Sequence, residues 1–119
     1  MVLVDASVWI NHFRTANLKL STWLDQELIF VHPFIIGELA CGNLVDQKEI
    51  ISLLHDLPSA PKVHDDEIIF FIEQHRIMGC GVGLVDMHLL ASCKLATCGL
   101  WTADRRLKKI AHDLKIDAD

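Results

Sequence analysis

Apolar positions along the chain follow two alternating patterns. Short unbroken apolar runs stand at Val2-Leu3-Val4, at Leu28 to His32 and at Leu100-Trp101-Thr102. Runs that are apolar throughout, rather than at every second position, mark strands buried on both faces, as in the middle of a parallel sheet. Between them the apolar positions recur with helical spacing. Ser7 offers an N-cap for a first helix carrying Val8, Trp9, Ile10 and Phe13. Pro33 opens a second, carrying Phe34, Ile35, Ile36, Leu39 and Ala40 and apolar nearly all round. Further helices are predicted from about Asp46 to Leu57, from Asp65 through Met78, from Leu84 to about Thr97, and from Ala103 to about Leu114. Lys62-Val63-His64 reads as a short edge strand. Strands alternating with helices predict an α/β domain, a short central parallel sheet with helices on both faces.

Composition narrows the setting. At 119 residues the chain is read as a single domain, 1–119. Its 51% hydrophobic content is high for a small chain and predicts a partner-covered surface. No apolar run approaches bilayer length, and Asp5 interrupts the only N-terminal one, so the expectation is a cytoplasmic protein with no membrane segment. Cys41, Cys80, Cys93 and Cys98 form no C-x-x-C pair, which argues against zinc and for small buried hydrophobes. The net charge of −5 argues against nonspecific nucleic-acid binding, although Arg105, Arg106, Lys108, Lys109 and Lys115 crowd the C-terminal fifth. Gly79-Cys80-Gly81-Val82-Gly83 lacks the G-x-G-x-x-G spacing and follows a helix, so it is no nucleotide loop.

Chemistry enters through four acids. Asp5 and Asp104 each follow a predicted strand at once, and Glu38 and Asp86 fall in the first or second turn of predicted helices. In an open parallel sheet those positions share the edge where ligands bind. Each acid has a plainer reading: Asp5 can satisfy turn amides, Asp86 can decorate a helix N-terminus, and Glu38 can pair with a cation. Four acids with no evident neutralising arginine can coexist by binding cations or by taking up protons. Oxygen ligands that leave room for water suit Mg²⁺ or Mn²⁺.

The segments Val2–Ile10, His32–Ala40, Gly81–Ser92 and Leu100–Leu107 together resemble PIN-domain ribonucleases, and more narrowly VapC-type toxins of bacterial toxin–antitoxin pairs. The likeness spans essentially the whole chain, with the segments in the expected order and spacing. It implies a PIN-like three-layer sandwich with the first strand central. It assigns catalysis to Asp5, Glu38, Asp86 and Asp104, metal binding to Asp5, Asp86 and Asp104, and supporting contacts to Ser7 and Thr102. The implied reaction is Mg²⁺-dependent phosphodiester hydrolysis of a structured RNA of the tRNA or rRNA class, with Mn²⁺ able to substitute. Arg105 and Arg106 are the candidate phosphate contacts. Implied partners are RNA, a VapB-type antitoxin, a second copy of the chain, and higher toxin–antitoxin oligomers. The antitoxin is expected in a groove touching Trp9, Phe13, Ile36, Ile50 and Leu54. The family's usual last strand has only Leu114-Lys115-Ile116 to form it, so that edge is expected to be stunted or missing. Two other classes stay open: a non-catalytic PIN-fold binding module, and a metal-independent endoribonuclease using some of the seven histidines, most of which read as surface or capping residues.

Overall fold

The computed structural model describes residues 1–118. The order of elements is β1 (Val2–Val4), α1 (Ala6–Arg14), α2 (Leu18–Asp25), β2 (Ile29–Phe30), α3 (Pro33–Ala40), α4 (Gln47–His55), α5 (Asp65–His75), α6 (Leu84–Ala96), β3 (Gly99–Trp101) and α7 (Arg105–Asp113). The three strands form one parallel sheet in the order β2-β1-β3. Val2 and Leu3 stand opposite Ile29 and Phe30 on one side, and Val2, Leu3 and Val4 opposite Gly99, Leu100 and Trp101 on the other. Successive strand residues point to opposite faces, so full burial of both Leu3 and Val4 means that helices cover both sides of β1. α1 packs on α3 and α3 on α4, while α5 packs on α6 and both α6 and α7 lie against β3. This is the α/β architecture with a central first strand that the apolar pattern predicts. No helix among the described residues is long and apolar enough to cross a membrane.

Several elements differ from the sequence reading, each for a local reason. Asp5, not Ser7, caps α1, its Oδ1 accepting from the Ala6 amide at 2.8 Å. α2 has no counterpart in that reading. It is capped by Asn17, whose side chain accepts from the Leu20 amide at 3.0 Å, and Leu20 is its only buried residue. Residues 62–64 form no strand; a single parallel bridge between Val31 and Ser59 extends β2 instead. Beyond β3, one bridge joins Leu100 to Asp117, with the Leu100 amide donating to Ile116 and the Ala118 amide to Leu100. Gly99 permits this approach, because a Cβ there would stand 2.9 Å from Ala118 Cα.

Four helices end alike. In α2, α5, α6 and α7 a left-handed residue (Glu27, Arg76, Thr97, Lys115) follows the last turn. The next amide bonds back five residues, from Leu28 to Trp23, Ile77 to Ile72, Cys98 to Cys93, and Ile116 to Ala111. This is the Schellman arrangement, in which the two residues joined by that bond also bring their side chains together.

His32 and His88 are buried, at 0% and 2% exposed. His32 caps α3, its Nδ1 accepting from the Phe34 amide at 3.0 Å, which places its proton on Nε2. Burial first, then the charges of His88 and Lys62, lowers the His32 pKa from 6.5 to about 4. Burial likewise lowers His88, with Lys62 adding to the effect and Asp65 opposing it.

Candidate functional site

The site lies at the carboxyl ends of β1, the middle strand of the sheet, and its neighbour β3. Asp5 follows β1 and its amide extends the ladder to the Trp101 carbonyl at 2.9 Å. It is 7% exposed and spends one carboxylate oxygen on the α1 cap. Its Oδ2 accepts from both hydroxyls that the sequence singles out, Ser7 at 2.9 Å and Thr102 at 2.8 Å. Each hydroxyl also accepts a backbone amide from the turn after β3: Ser7 from Ala103 at 3.1 Å, and Thr102 from Asp104 at 3.1 Å. A hydroxyl has one proton to give, so both protons are directed at Asp5. Ser7 and Thr102 therefore tie the turn that carries Asp104 to the carboxylate at the end of β1.

Asp104 caps α7, its Oδ1 accepting from the Leu107 amide at 3.0 Å. Asp86 sits in the first turn of α6, where it accepts from the amide of Gly83, the residue that caps that helix. Three of the four acids thus stand at helix N-termini, where aligned peptide dipoles partly offset negative charge. The plainer reading of these acids as caps and the functional one are both satisfied, because a cap occupies one oxygen of a carboxylate. Glu38, on α3, belongs to the same group through electrostatics. Desolvation, then Asp5 and Asp86, raises its pKa. Desolvation and then Asp5 raise Asp86, with Asp104 contributing and the Gly83 bond opposing. Among the described residues no lysine or arginine forms an ion pair with any of the four.

These residues offer a hard, all-oxygen donor set with excess negative charge, which fits a divalent cation such as Mg²⁺ or Mn²⁺. Among the described residues no three His, Cys, Asp or Glu side chains are already drawn into a closed ligand set. That openness is compatible with Mg²⁺, which keeps several waters and takes only one or two carboxylates directly.

The two candidate arginines part company. Arg105 opens α7 and is exposed. Arg106 folds onto the glycine loop, its Nη1 donating to the Gly81 carbonyl at 3.5 Å. Gly81 has φ +83°, which calls for glycine, and a Cβ there would also press on the Arg106 side chain at 3.0 Å. The histidines do not gather at the acids. His12 accepts from the Asn17 amide, His112 meets Asp117 at 3.1 Å, and His32 and His88 are core residues. Their burial was missed in the sequence, although His32 stands directly before Pro33 at a helix start, where a capping acceptor is expected.

Away from the acids, Trp9, Phe13, Ile50 and Leu54 line an apolar groove of about 410 Å³ together with Leu24 and Leu57. Ile36, placed in that groove by the sequence reading, is instead 8% exposed and part of the core.

Comparison with known proteins agrees with this layout. The PIN domain family matches residues 2–113. Ribonuclease VapC32 of Mycobacterium tuberculosis, in strains CDC 1551 / Oshkosh and ATCC 25618 / H37Rv, is 40% identical over 109 residues, covering 91% of this chain and 88% of the relative.

Proposed function

Since the chain belongs to the PIN-domain family, among its VapC-type ribonucleases, we propose that it is a toxin endoribonuclease cleaving structured RNA, of the tRNA or rRNA class, with Mg²⁺. The observation that carries the reading is the gathering of Asp5, Glu38, Asp86 and Asp104 at one sheet edge, where Glu38 and Asp86 are each held above the usual carboxylate range by desolvation and by their acidic neighbours. A fold that needed only helix caps there would have no use for Glu38. In this reading Asp5, Asp86 and Asp104 hold the ion. Bound there, Mg²⁺ supplies a water of lowered pKa and neutralises charge developing on the phosphate.

The chain's own groups do the positioning. Ser7 and Thr102 hold Asp5 in one orientation with two donated protons. The caps at α1 and α7 and the first-turn bond at α6 fix the backbones that carry the acids. Glu38 faces the acids from α3 and is the fourth catalytic carboxylate. Arg105, exposed at the start of α7 beside Asp104, is the better placed of the two arginines for an RNA phosphate. Arg106 holds the glycine loop ahead of Asp86 and reaches RNA only by leaving Gly81.

The same reading assigns a VapB-type antitoxin to the groove lined by Trp9, Phe13, Ile50 and Leu54, and a second copy of the chain as a further partner. The deciding experiment is cleavage of a mixed tRNA and rRNA substrate by purified protein, followed by end analysis. Water attack leaves 5′ phosphate and 3′ hydroxyl ends, with activity lost in EDTA and restored by Mg²⁺. Cyclic 2′,3′ phosphates formed in EDTA would transfer the reaction to a metal-independent mechanism.

A further inference from the structure

The Schellman ends carry an observation that the nuclease reading does not use. In three of the four, the paired side chains are hydrocarbon: Trp23 with Leu28, Ile72 with Ile77, and Ala111 with Ile116. At the end of α6 the corresponding pair is two thiols, Cys93 and Cys98. The Cys98 amide donates to the Cys93 carbonyl at 3.0 Å, and Thr97 between them is left-handed at φ 53°. Both cysteines are free and buried, Cys93 at 0% and Cys98 at 6% exposed. We propose that Cys93 and Cys98 are a reversible thiol–disulfide pair, oxidised by hydroperoxides, that staples the end of α6 to the start of β3.

The environment makes the two sulfurs unequal. The neighbouring Cys93 thiol, then the N-terminal ammonium and the backbone amides of Leu3 and Cys98, lower the Cys98 pKa against the opposing effect of burial. The Cys98 sulfur, and then burial, raise Cys93. Cys98 is thus the more acidic of the two sulfurs and the one with residual exposure, the two conditions that favour attack on an oxidant. Its sulfur attacks one peroxide oxygen; the S–O bond forms, the O–O bond breaks, and the other oxygen leaves and is protonated. The sulfenic acid at Cys98 then meets Cys93. The Cys93 sulfur forms the S–S bond, the S–O bond breaks, and hydroxide leaves with the Cys93 proton as water. Two thiols lose two electrons and one hydroperoxide gains them. The staple joins the helix that presents Asp86 at its far end to the strand that leads into Thr102 and Asp104.

The test uses full-length protein with Cys41→Ser and Cys80→Ser, both exposed positions, so that only the buried pair remains. After hydrogen peroxide, with circular dichroism confirming the native fold, the protein is denatured, alkylated and weighed. The expected product is lighter by two hydrogens, takes no alkyl group, and regains two alkylatable thiols with dithiothreitol. Trypsin cuts after Lys94, so the bond appears as peptide 77–94 joined to peptide 95–105. Cys98→Ala should leave Cys93 reduced under the same treatment, because the first attacking sulfur is gone. The proposal is overturned if the folded protein keeps both thiols, if oxidation ends only at sulfinic or sulfonic acids or in disulfides between molecules, or if Cys93 oxidises as fast in Cys98→Ala.

Discussion

Lowering the pH from neutrality should destabilise this protein through His32, in a window set by its burial. The His32 pKa is lowered from 6.5 to about 4 in the fold. Above 6.5 both folded and unfolded chains hold the ring neutral, and nothing is gained or lost. Below it the unfolded chain takes up a proton that the folded chain refuses until about pH 4. Stability therefore falls as pH falls between those values and is flat beneath them. Two and a half pKa units at about 1.4 kcal/mol each make the full effect about 3–4 kcal/mol. The structure adds a second cost in the same direction. A proton on Nδ1 would turn the acceptor for the Phe34 amide into a donor facing a donor, and the α3 cap would be lost. Glu38 and Asp86, both raised, work against this trend at the acid end, because the folded chain protonates them before the unfolded chain does. The reference must therefore share those acids. His32→Asn keeps an acceptor at the capping position and removes the titration, while His88 remains in both proteins. Urea titrations in EDTA from about pH 7.5 to about pH 4.5 should show wild type losing about 2–3 kcal/mol more than His32→Asn across the range. The constant cost of the smaller side chain drops out of that comparison. Parallel curves for the two proteins would refute the argument, whatever their absolute stabilities.

Other perturbations bear on the site and the fold separately. Asp5→Asn and Asp86→Asn should each reduce RNA cleavage by about 10²-fold or more at saturating Mg²⁺ with the circular dichroism unchanged, measured by initial rates on end-labelled RNA. In EDTA, Asp86→Asn should melt a few degrees above wild type near neutral pH, where the raised carboxyl must be held charged; that gain should vanish in acid as the native carboxyl takes its proton. Thr102→Val keeps the shape but strands the Asp104 amide and leaves Asp5 Oδ2 with the Ser7 hydroxyl alone, so a loss of about 1–3 kcal/mol is expected in urea, together with weaker cleavage. Thr97→Gly should stabilise the fold by about 1 kcal/mol in the same assay, because a β-branched residue now holds a left-handed position. Gly99→Ala should cost about 1–3 kcal/mol by pushing Ala118 away from β3.

What could be read from the sequence, and what could not, divides along a physical line. Unbroken apolar runs ending in acids found β1 and β3, because burial on both faces and an abrupt polar stop are both properties of consecutive residues. The helix after Pro33 was found for the same reason, its fixed φ and absent amide being local facts. α2 was passed over although Asn17, Leu20, Trp23 and Leu24 carry a cap and an i, i+3, i+4 face. Leu18 and Lys19 interrupt the pattern, and only Leu20 is fully buried, with Trp23 and Leu24 packed at the margin of the core. Asp5 and Ser7 were both credible caps two residues apart, and choosing between them required knowing that Asp5 itself and the Ala103 amide would claim the Ser7 hydroxyl.

The helix ends were hidden for a further reason. Glycine is the usual signal for a left-handed C-terminal residue, and Glu27, Arg76, Thr97 and Lys115 give none. Local strain of that kind persists only where surrounding contacts determine the backbone. Here the contact is the pair of side chains that each motif brings together, buried completely or nearly so for Ile77, Cys93, Cys98, Ala111 and Ile116. The α6 end is the one where that pair is not hydrocarbon, and it is the end whose strand leads directly into Thr102 and Asp104. A loss of packing there would be felt at the acids, while the same loss at the end of α5 would reach the site only through α6. Replacing Ile77 and replacing Cys98 by alanine should therefore separate: both lower stability, but only the second should lower the rate of cleavage per folded molecule. Equal effects on that rate would mean that the α6–β3 turn does not position the site.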